Sequence, residues 1–251
     1  MRGRKVTSMP VPLAFEWRNV VFCHWPIECD RLEPAIPAGL TIDTHYGTGW
    51  ISIVALSARS TRPRGLPRWT GIDVNQLNLR TYVEKDGEPG VYFCSIDADS
   101  VFGVLGARLA HHLPYYYASI TADASDGRIS IRSRRRHRGE RPATFAGTFR
   151  LLDDAYEPEP ESLAAFLAER RRLYTRGTDD NLRYMDIDHH PWTLYPVDGT
   201  IDANTMFDAS ALPRPTTDPV IYYSPGLDAV TSRNVRWDHT SSAPPRTESP
   251  Q

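Results

Sequence analysis

Gln76, Asn78, Arg80 and Tyr82 occupy alternate positions in DVNQLNLRTYVE, so an extended strand places all of them on one face. A strand arginine flanked by Leu79 and Val83 is expensive to bury alone. Two readings follow. Arg80 grips a ligand carboxylate in bidentate fashion inside the fold, or it forms a structural ion pair with Asp97 or Asp99. Arg108 is a second candidate of the same kind. The polar row either lines a polar interior or faces solvent. In the second case Leu77, Leu79, Thr81 and Val83 form the core on the opposite face.

Tyr115, Tyr116 and Tyr117 follow one another on a strand, so Tyr115 and Tyr117 share a face and Tyr116 takes the other. A buried phenol needs a partner and can donate to a ligand oxygen, although an aromatic packing layer accounts for the run as well. His24-Trp25 and His189-His190-Pro191-Trp192 read as motifs that shape a corner or a pocket. Asp186 and Asp188 precede the second motif and invite a metal reading. Adjacent histidines on a strand point to opposite faces, however, and do not share one ion, so no metal is expected. His111 and His112 suit the C-terminal end of a helix dipole. Cys23 and Cys94 read as small buried apolar residues. The chain shows no glycine-rich phosphate loop, nucleophile elbow or zinc signature, and no cofactor is expected.

Of the 29 basic residues only Lys5 and Lys85 are lysines. Lys5 lies near the N-terminus and Lys85 in the turn EKDGEPG, so neither is placed to be a buried, activated amine. Chemistry through a lysine imine is therefore not expected. With 251 residues, 40% of them hydrophobic, the chain suffices for one large domain. A formal charge of −2 argues against nucleic acid or an anionic membrane as partner. No apolar run approaches the ~20 residues that span a bilayer, and three cysteines suggest neither a disulfide framework nor an oxidising compartment. A cytoplasmic protein is expected.

The elements that position these residues centre on Val91 to Thr121, read as strand, helix and strand. Ser100 caps the helix, Val101, Leu105 and Leu109 form its apolar stripe, and Pro114 ends it. On the first strand Val91, Phe93 and Ser95 alternate with Tyr92, Cys94 and Ile96. Leu40–His45 and Gly49–Arg59 are expected to pair across Tyr46-Gly47. Asp73–Glu84 should pair with Val91–Asp97 through Asp86-Gly87, and Tyr115–Ala122 with Arg128–Arg136 through Asp126-Gly127. Asp30 and Glu33 have capping-box spacing, Pro26 should break the chain before them, and Ser162 should open a helix to about Leu173. The run IRSRRRHRGER reads as a solvated strand end, and Ser60–Ile72 as a long, functional loop. Further strands are expected at Thr144–Leu151, Arg183–Asp188, Trp192–Val197, Val220–Ser224 and Ala229–Trp237. Residues 1–12 and 239–251 read as disordered tails around one domain, 13–238, of antiparallel β-structure with helical insertions, a barrel or a sandwich.

Several blocks in order resemble the YqjF-like family of uncharacterised conserved proteins: FCHWPIECDRLEPAIPAGLTIDTHYGTGWISIV, NLRTYV, GVYFCSIDADS, ARLAHHLPYYYASI and HHPWTLYPV. That family is similar to a branch of the acetoacetate decarboxylase-like superfamily. The resemblance implies a mainly β fold, an antiparallel barrel with its pocket inside. It also offers a test. The decarboxylases carry Gly-Arg-Glu, a short gap and Pro-Lys-Lys, with a Schiff-base lysine whose pKa its neighbour depresses, a case general enzymology uses as its example. The similar segment here is Ala107-Arg108-Leu109, a gap, then Pro114-Tyr115-Tyr116. Both lysines have become tyrosines, and a phenol forms no imine. Relatives commonly carry a glutamate where this chain has Gln76, a neutral amide in place of an acid or base.

The expected activity is binding of a small organic ligand, a carboxylate, by Gln76, Asn78, Arg80, Arg108, Tyr115 and Tyr116, with His24, Trp25, Asp97, His190 and Trp192 shaping the site. Two alternatives stand beside it. One is a lyase or hydro-lyase acting on a small acid without an imine, and the other is an interaction module working through Ser60–Ile72.

Overall fold

The computed structural model describes residues 11–101, 104, 113–177 and 181–237. The predicted helix body, with Arg108, His111 and His112, and nearly all of both predicted tails lie outside the described residues. Thirteen strands are present among the described residues. They are β1 (Leu13–Ile27), β2 (Thr41–Ile42), β3 (Gly49–Pro63), β4 (Ile72–Lys85), β5 (Glu88–Ala98), β6 (Tyr115–Ser125), β7 (Arg128–Arg135), β8 (Thr144–Leu151), β9 (Arg172–Arg176), β10 (Leu182–His189), β11 (Tyr195–Asn204), β12 (Val220–Thr231) and β13 (Val235–Arg236). Short helices are α1 (Cys29–Leu32), α2 (Leu163–Ala168) and α3 (Met206–Ala209).

Two hairpins form where Asp-Gly pairs allow a left-handed turn. Asp86 and Gly87 have φ of 52° and 80°, and Asp126 and Gly127 have 51° and 70°. That twist matches the flanking strands. The strands follow one another in the order β13-β10-β9-β5-β6-β7-β8-β11-β12-β1-β3-β4-β2, with further pairings of β5 to β4 and of β10 to β12. These two pairings close the sheet on itself. The wall β4-β3-β1-β12 has its two faces in two different interiors, and nearly every pairing is antiparallel; β5 pairs in parallel with β6 and with β9.

The sequence of β3, WISIVALSAR, is apolar at both alternations because both of its faces are covered. Ile51, Ile53 and Ala55 enter the larger interior with Val21, Cys23, Leu77, Leu79, Ile131, Phe145 and Phe149. Trp50, Val54 and Leu56 enter the smaller one, where Phe22, Trp192, Leu194 and the Leu167 side chain of α2 meet them. Each fully buried side chain of this size contributes about 1.5–3 kcal/mol of transfer free energy.

Several elements depart from the sequence expectation. Strand β1 runs through Pro26, because pairing with β12 ends at His24–Val220 and only the β3 side continues to Ile27. The missing Pro26 N–H therefore interrupts no ladder bond to β12. Residues Leu40–His45 yield only the two-residue β2, which pairs with β4; across Tyr46-Gly47 a single bridge joins His45 and Thr48. The capping box does not form: Glu28 is the N-cap of α1, without a side-chain cap bond, and Asp30 lies inside the first turn. Ser162 does cap α2 by accepting from Ala165 N–H at 3.1 Å. The helix stops at Ala168, short of the expected Leu173, as the chain turns at Glu169 into β9. Strand β11 begins at Tyr195 and extends to Asn204, beyond the expected segment, and the two expected last strands are one, β12, followed by the short β13.

Candidate functional site

The alternation along β4 holds. Leu77 and Leu79 enter the larger interior, and Asn78, Arg80 and Tyr82 enter the smaller one. Neither of the two readings of the polar row is complete: the opposite face is a core, and the polar face is covered too, by α2 and by β9 and β10. Cross-strand register sets the neighbours. His24 lies opposite Ser52, and Ser52 opposite Arg80.

Tyr82 is the hub. Its phenol oxygen is fully buried, donates to the Leu167 carbonyl at 3.0 Å, and lies 2.8 Å from Ser52 Oγ and 3.1 Å from His24 Nδ1. Ser52 Oγ and His24 Nδ1 are 2.7 Å apart. The Leu167 carbonyl belongs to the last turn of α2, where helix geometry leaves carbonyls without an internal partner. Arg80 Nη2 donates to the same oxygen at 3.1 Å. Its guanidinium carbon sits 5.8 Å from the Phe22 ring centroid and 5.9 Å from that of Tyr82.

His24 stacks on Phe22 at 5.8 Å and lies 5.9 Å from Tyr222. Burial, reinforced by the positive charge of Arg80, holds its pKa well below the ordinary histidine value, so the ring is neutral. Four polar atoms in this interior have no hydrogen-bond partner among the described residues: His24 Nε2, Trp50 Nε1, Asn78 Oδ1 and Arg80 Nε. No ion pair to Arg80 exists among the described residues. The expected pairing with Asp97 or Asp99 does not occur. A bulge in β5 shifts the register between Leu79–Ser95 and Arg80–Phe93, which sends Asp97 to the opposite face. There Asp97 meets Arg135 at 2.8 Å. Asp99 instead accepts from the Asn75 backbone and side chain at 2.8 and 2.7 Å.

The remaining candidates divide between the two interiors. Gln76 donates through Nε2 to the Tyr115 phenol oxygen at 3.1 Å, and burial pushes the Tyr115 pKa up to about 12. Both adjoin the Arg80 face. Tyr116 turns the other way, with the Arg135 guanidinium 4.1 Å over its ring. The charge run is thus not wholly solvated, since Arg135 is buried beside Asp97. Trp25 also faces the larger interior, edge-on to Phe207 at 5.4 Å, while its neighbour His24 faces the smaller one. Trp192 joins the smaller interior, stacked on Trp17 at 5.5 Å. His190 is exposed, and the buried partner in that motif is His189, whose Nδ1 donates to the His190 carbonyl at 2.6 Å. Ser52 was not expected in the site, although a lone polar residue amid WISIVA carried the signal. No group of three metal-ligating side chains exists among the described residues.

An open cleft of about 500 Å³ lies elsewhere, between Arg64, Glu88, Arg170–Arg172, Asp186–Asp188 and Val230–Ser232. Three of its four arginines already have acidic partners, Arg172 with Asp186 at 2.6 Å, Arg170 with Asp43 at 2.5 Å, and Arg171 with Glu169 and Asp188, while Arg64 stands exposed at the rim. Its paired arginines therefore offer little free charge for a ligand, in contrast to the Arg80 face.

Comparison with known proteins places this geometry in a family. The DUF2071 model, described as an uncharacterised conserved protein, matches residues 14–228. The chain belongs to the DUF2071 family. It is 38% identical over 222 residues to the uncharacterised protein YqjF of Bacillus subtilis (strain 168), covering 88% of this chain and 90% of that one. Solved structures share the fold of this DUF2071 chain at low identity. The enduracididine biosynthesis enzyme MppR complexed with pyruvate superposes with a TM-score of 0.66 at 13% identity, over 95% of both chains. The acetoacetate decarboxylase of Legionella pneumophila subsp. pneumophila str. Philadelphia 1 superposes at 0.64 and 13%, over 94% of this chain and 92% of its own. An acetoacetate decarboxylase-like enzyme from Sphingomonas wittichii RW1 gives 0.64 and 11%, over 91% and 93%. The DUF2071 chain thus has an acetoacetate decarboxylase-like, mostly β fold. No helix among its described residues is long and apolar enough to cross a membrane.

Proposed function

We propose that this protein binds a small organic carboxylate on the inner face of β4, with Arg80 as the anion-binding group, and that it does so without an imine. The observation that carries the reading is a half-buried arginine with no ion pair among the described residues and a free Nε, next to a buried Asn78. A guanidinium held in this way between aromatic rings is poorly hydrated and takes a carboxylate at modest desolvation cost. The pyruvate bound in one fold relative supports an acid of this size. Lys85 cannot supply the imine: it sits beside the turn with its ammonium 2.8 Å from Asp86.

A thermal-shift screen of small carboxylates against their neutral esters tests this. A ligand at 100 times its Kd adds ~2.7 kcal/mol of stability. Stabilisation by acids and not esters, lost in Arg80→Gln, is the expected result. Equal response to acid and ester, or an unchanged response in Arg80→Gln, removes the proposal.

His24 favours a second reading on the same face, an enzyme of the lyase or hydro-lyase class. A neutral imidazole with a free ring nitrogen beside an anion-binding arginine is a candidate base. Turnover of an acid that stabilises the protein, abolished in His24→Gln with binding retained, would establish it.

A further inference from the structure

Hydrogen positions in the buried network follow from counting. The contacts to be filled are Tyr82–Leu167, Ser52–Tyr82, Ser52–His24 and Tyr82–His24, at 3.0, 2.8, 2.7 and 3.1 Å. The Leu167 carbonyl can only accept, so Tyr82 gives it the phenol proton. Tyr82 then accepts from Ser52. Ser52, with its only proton used, accepts from His24, which must carry its hydrogen on Nδ1. With that hydrogen shared between Ser52 and Tyr82, three protons fill the four contacts; the other tautomer supplies two and leaves the 2.8 Å Ser52–Tyr82 contact with no hydrogen in it. With Nδ1 protonated, His24 Nε2 is a bare lone pair, fully buried and without a partner.

Asn78 Oδ1, on the same face and 95% buried, is likewise an acceptor without a partner. The interior therefore presents one cationic donor, Arg80, one neutral donor, the Trp50 indole N–H, and two unsatisfied neutral acceptors. Imidazole and guanidinium both lie against Phe22 and Tyr82, which places them in one cage. A carboxylate satisfies the donor. It leaves both acceptors desolvated and unpaired unless the same molecule brings hydrogen-bond donors of its own. A 2-oxo group could accept from the Trp50 indole N–H but would satisfy neither acceptor. An ammonium would bury a second cation beside Arg80. A hydroxyl is neutral and donates.

We infer that the ligand is a small hydroxy acid, its carboxylate on Arg80 and its hydroxyl donating to His24 Nε2 or Asn78 Oδ1. This rests on the carboxylate reading above and narrows it to one substrate class. Ser52, Tyr82 and the end of α2 are positioning groups that keep His24 in the accepting tautomer.

Calorimetric titration of the full chain with acetate, glycolate, propionate, lactate and pyruvate tests it. Glycolate is expected to bind about tenfold tighter than acetate, and lactate about tenfold tighter than propionate and pyruvate, the difference one well-made hydrogen bond makes. His24→Phe keeps a ring against Phe22 and removes the acceptor, so it should shrink that preference while the simple acids still bind. Equal affinity for lactate, propionate and pyruvate overturns this inference and leaves the carboxylate reading intact. Acids that do not bind at all, or that bind Arg80→Gln as well as the parent, overturn both. Nitrogen-15 histidine spectra of the unsubstituted protein give a readout that no folding defect can confound: Nε2 must be the unprotonated nitrogen of His24, and a proton found there refutes the assignment.

Discussion

Arg80 and Asp97 lie on opposite faces of the wall that β4 and β5 form, although straight alternation would put them on the same one. The register passes from Arg80–Phe93 to Leu79–Ser95, so Cys94 is the extra residue of a bulge and every side chain beyond it changes face. The two charges share no partner: Arg80 donates to Leu167, and Asp97 pairs with Arg135. A double-mutant cycle on Arg80→Gln and Asp97→Asn is therefore expected to be additive within about 0.5 kcal/mol. A coupling well above 1 kcal/mol, measured by urea unfolding, would show that the charges do interact.

The same bulge marks where the sequence stopped being legible. The alternation of Gln76, Asn78, Arg80 and Tyr82, the Asp-Gly hairpins and the doubly apolar β3 could all be read, because each depends on local periodicity or turn chemistry. Bulges could not. In β1 the register shifts between Arg18 and Val21, Asn19 takes a φ of 50°, and Trp17 thereby shares a face with Phe22 and His24. The one signal in WRNVVFCHW is Asn19, a residue type that tolerates the left-handed region, and it does not by itself mark a bulge. The buried relay was equally hidden. Tyr82 and Leu167 are 85 residues apart, and only the tertiary fold brings the end of α2 onto the phenol.

That relay should be costly to open. Tyr82→Phe removes a fully buried hydroxyl on which Ser52, His24 and Leu167 converge. A loss of about 1–3 kcal/mol is expected, because buried partners are left unpaired while volume is retained. It should appear as a lower urea midpoint with an unchanged m-value. A change within 0.5 kcal/mol, the range of an ordinary surface substitution, would mean that the hydroxyl contributes nothing to the network.

Imine chemistry can be excluded directly. Incubation with pyruvate and a borohydride reagent should leave the mass of the protein unchanged. Lys85 is tied to Asp86 beside a hairpin turn, and no lysine stands where the decarboxylase motif has Pro-Lys-Lys. A stoichiometric adduct mapped to Lys85 would overturn the reading of Tyr115 and Tyr116 as replacements that end this chemistry.

Asp97 gives a pH dependence of one sign. Burial raises its pKa to about 6 even though Arg135 pulls it down. The folded state therefore binds the proton more tightly than the unfolded chain, whose carboxyl titrates near 3.8. Stability should fall as pH rises from about 4 to about 6 and stay level above, by on the order of 2–3 kcal/mol relative to Asp97→Asn. Urea midpoints of the two proteins that run parallel across this window would show that Arg135 fully compensates the burial.

His24 gives the opposite sign. Its ring is fully buried and faces Arg80, Ser52, Tyr82, Tyr222 and Phe22, with no carboxylate contact among the described residues. Its folded pKa lies well below 6.5, whereas in the unfolded chain the ring takes its proton near that ordinary value. Below that pH the unfolded state binds the extra proton and the folded state does not, so stability is lost as pH falls. Relative to His24→Gln, the parent should lose about 1.4 kcal/mol per pH unit once the solution is well below the unfolded value. Separating the two effects is straightforward, since Asp97→Asn steepens the acid loss and His24→Gln flattens it. If His24→Gln leaves the acid limb of the urea-midpoint profile unchanged, the imidazole is protonated in the folded protein and cannot be the acceptor that the hydroxy-acid site requires.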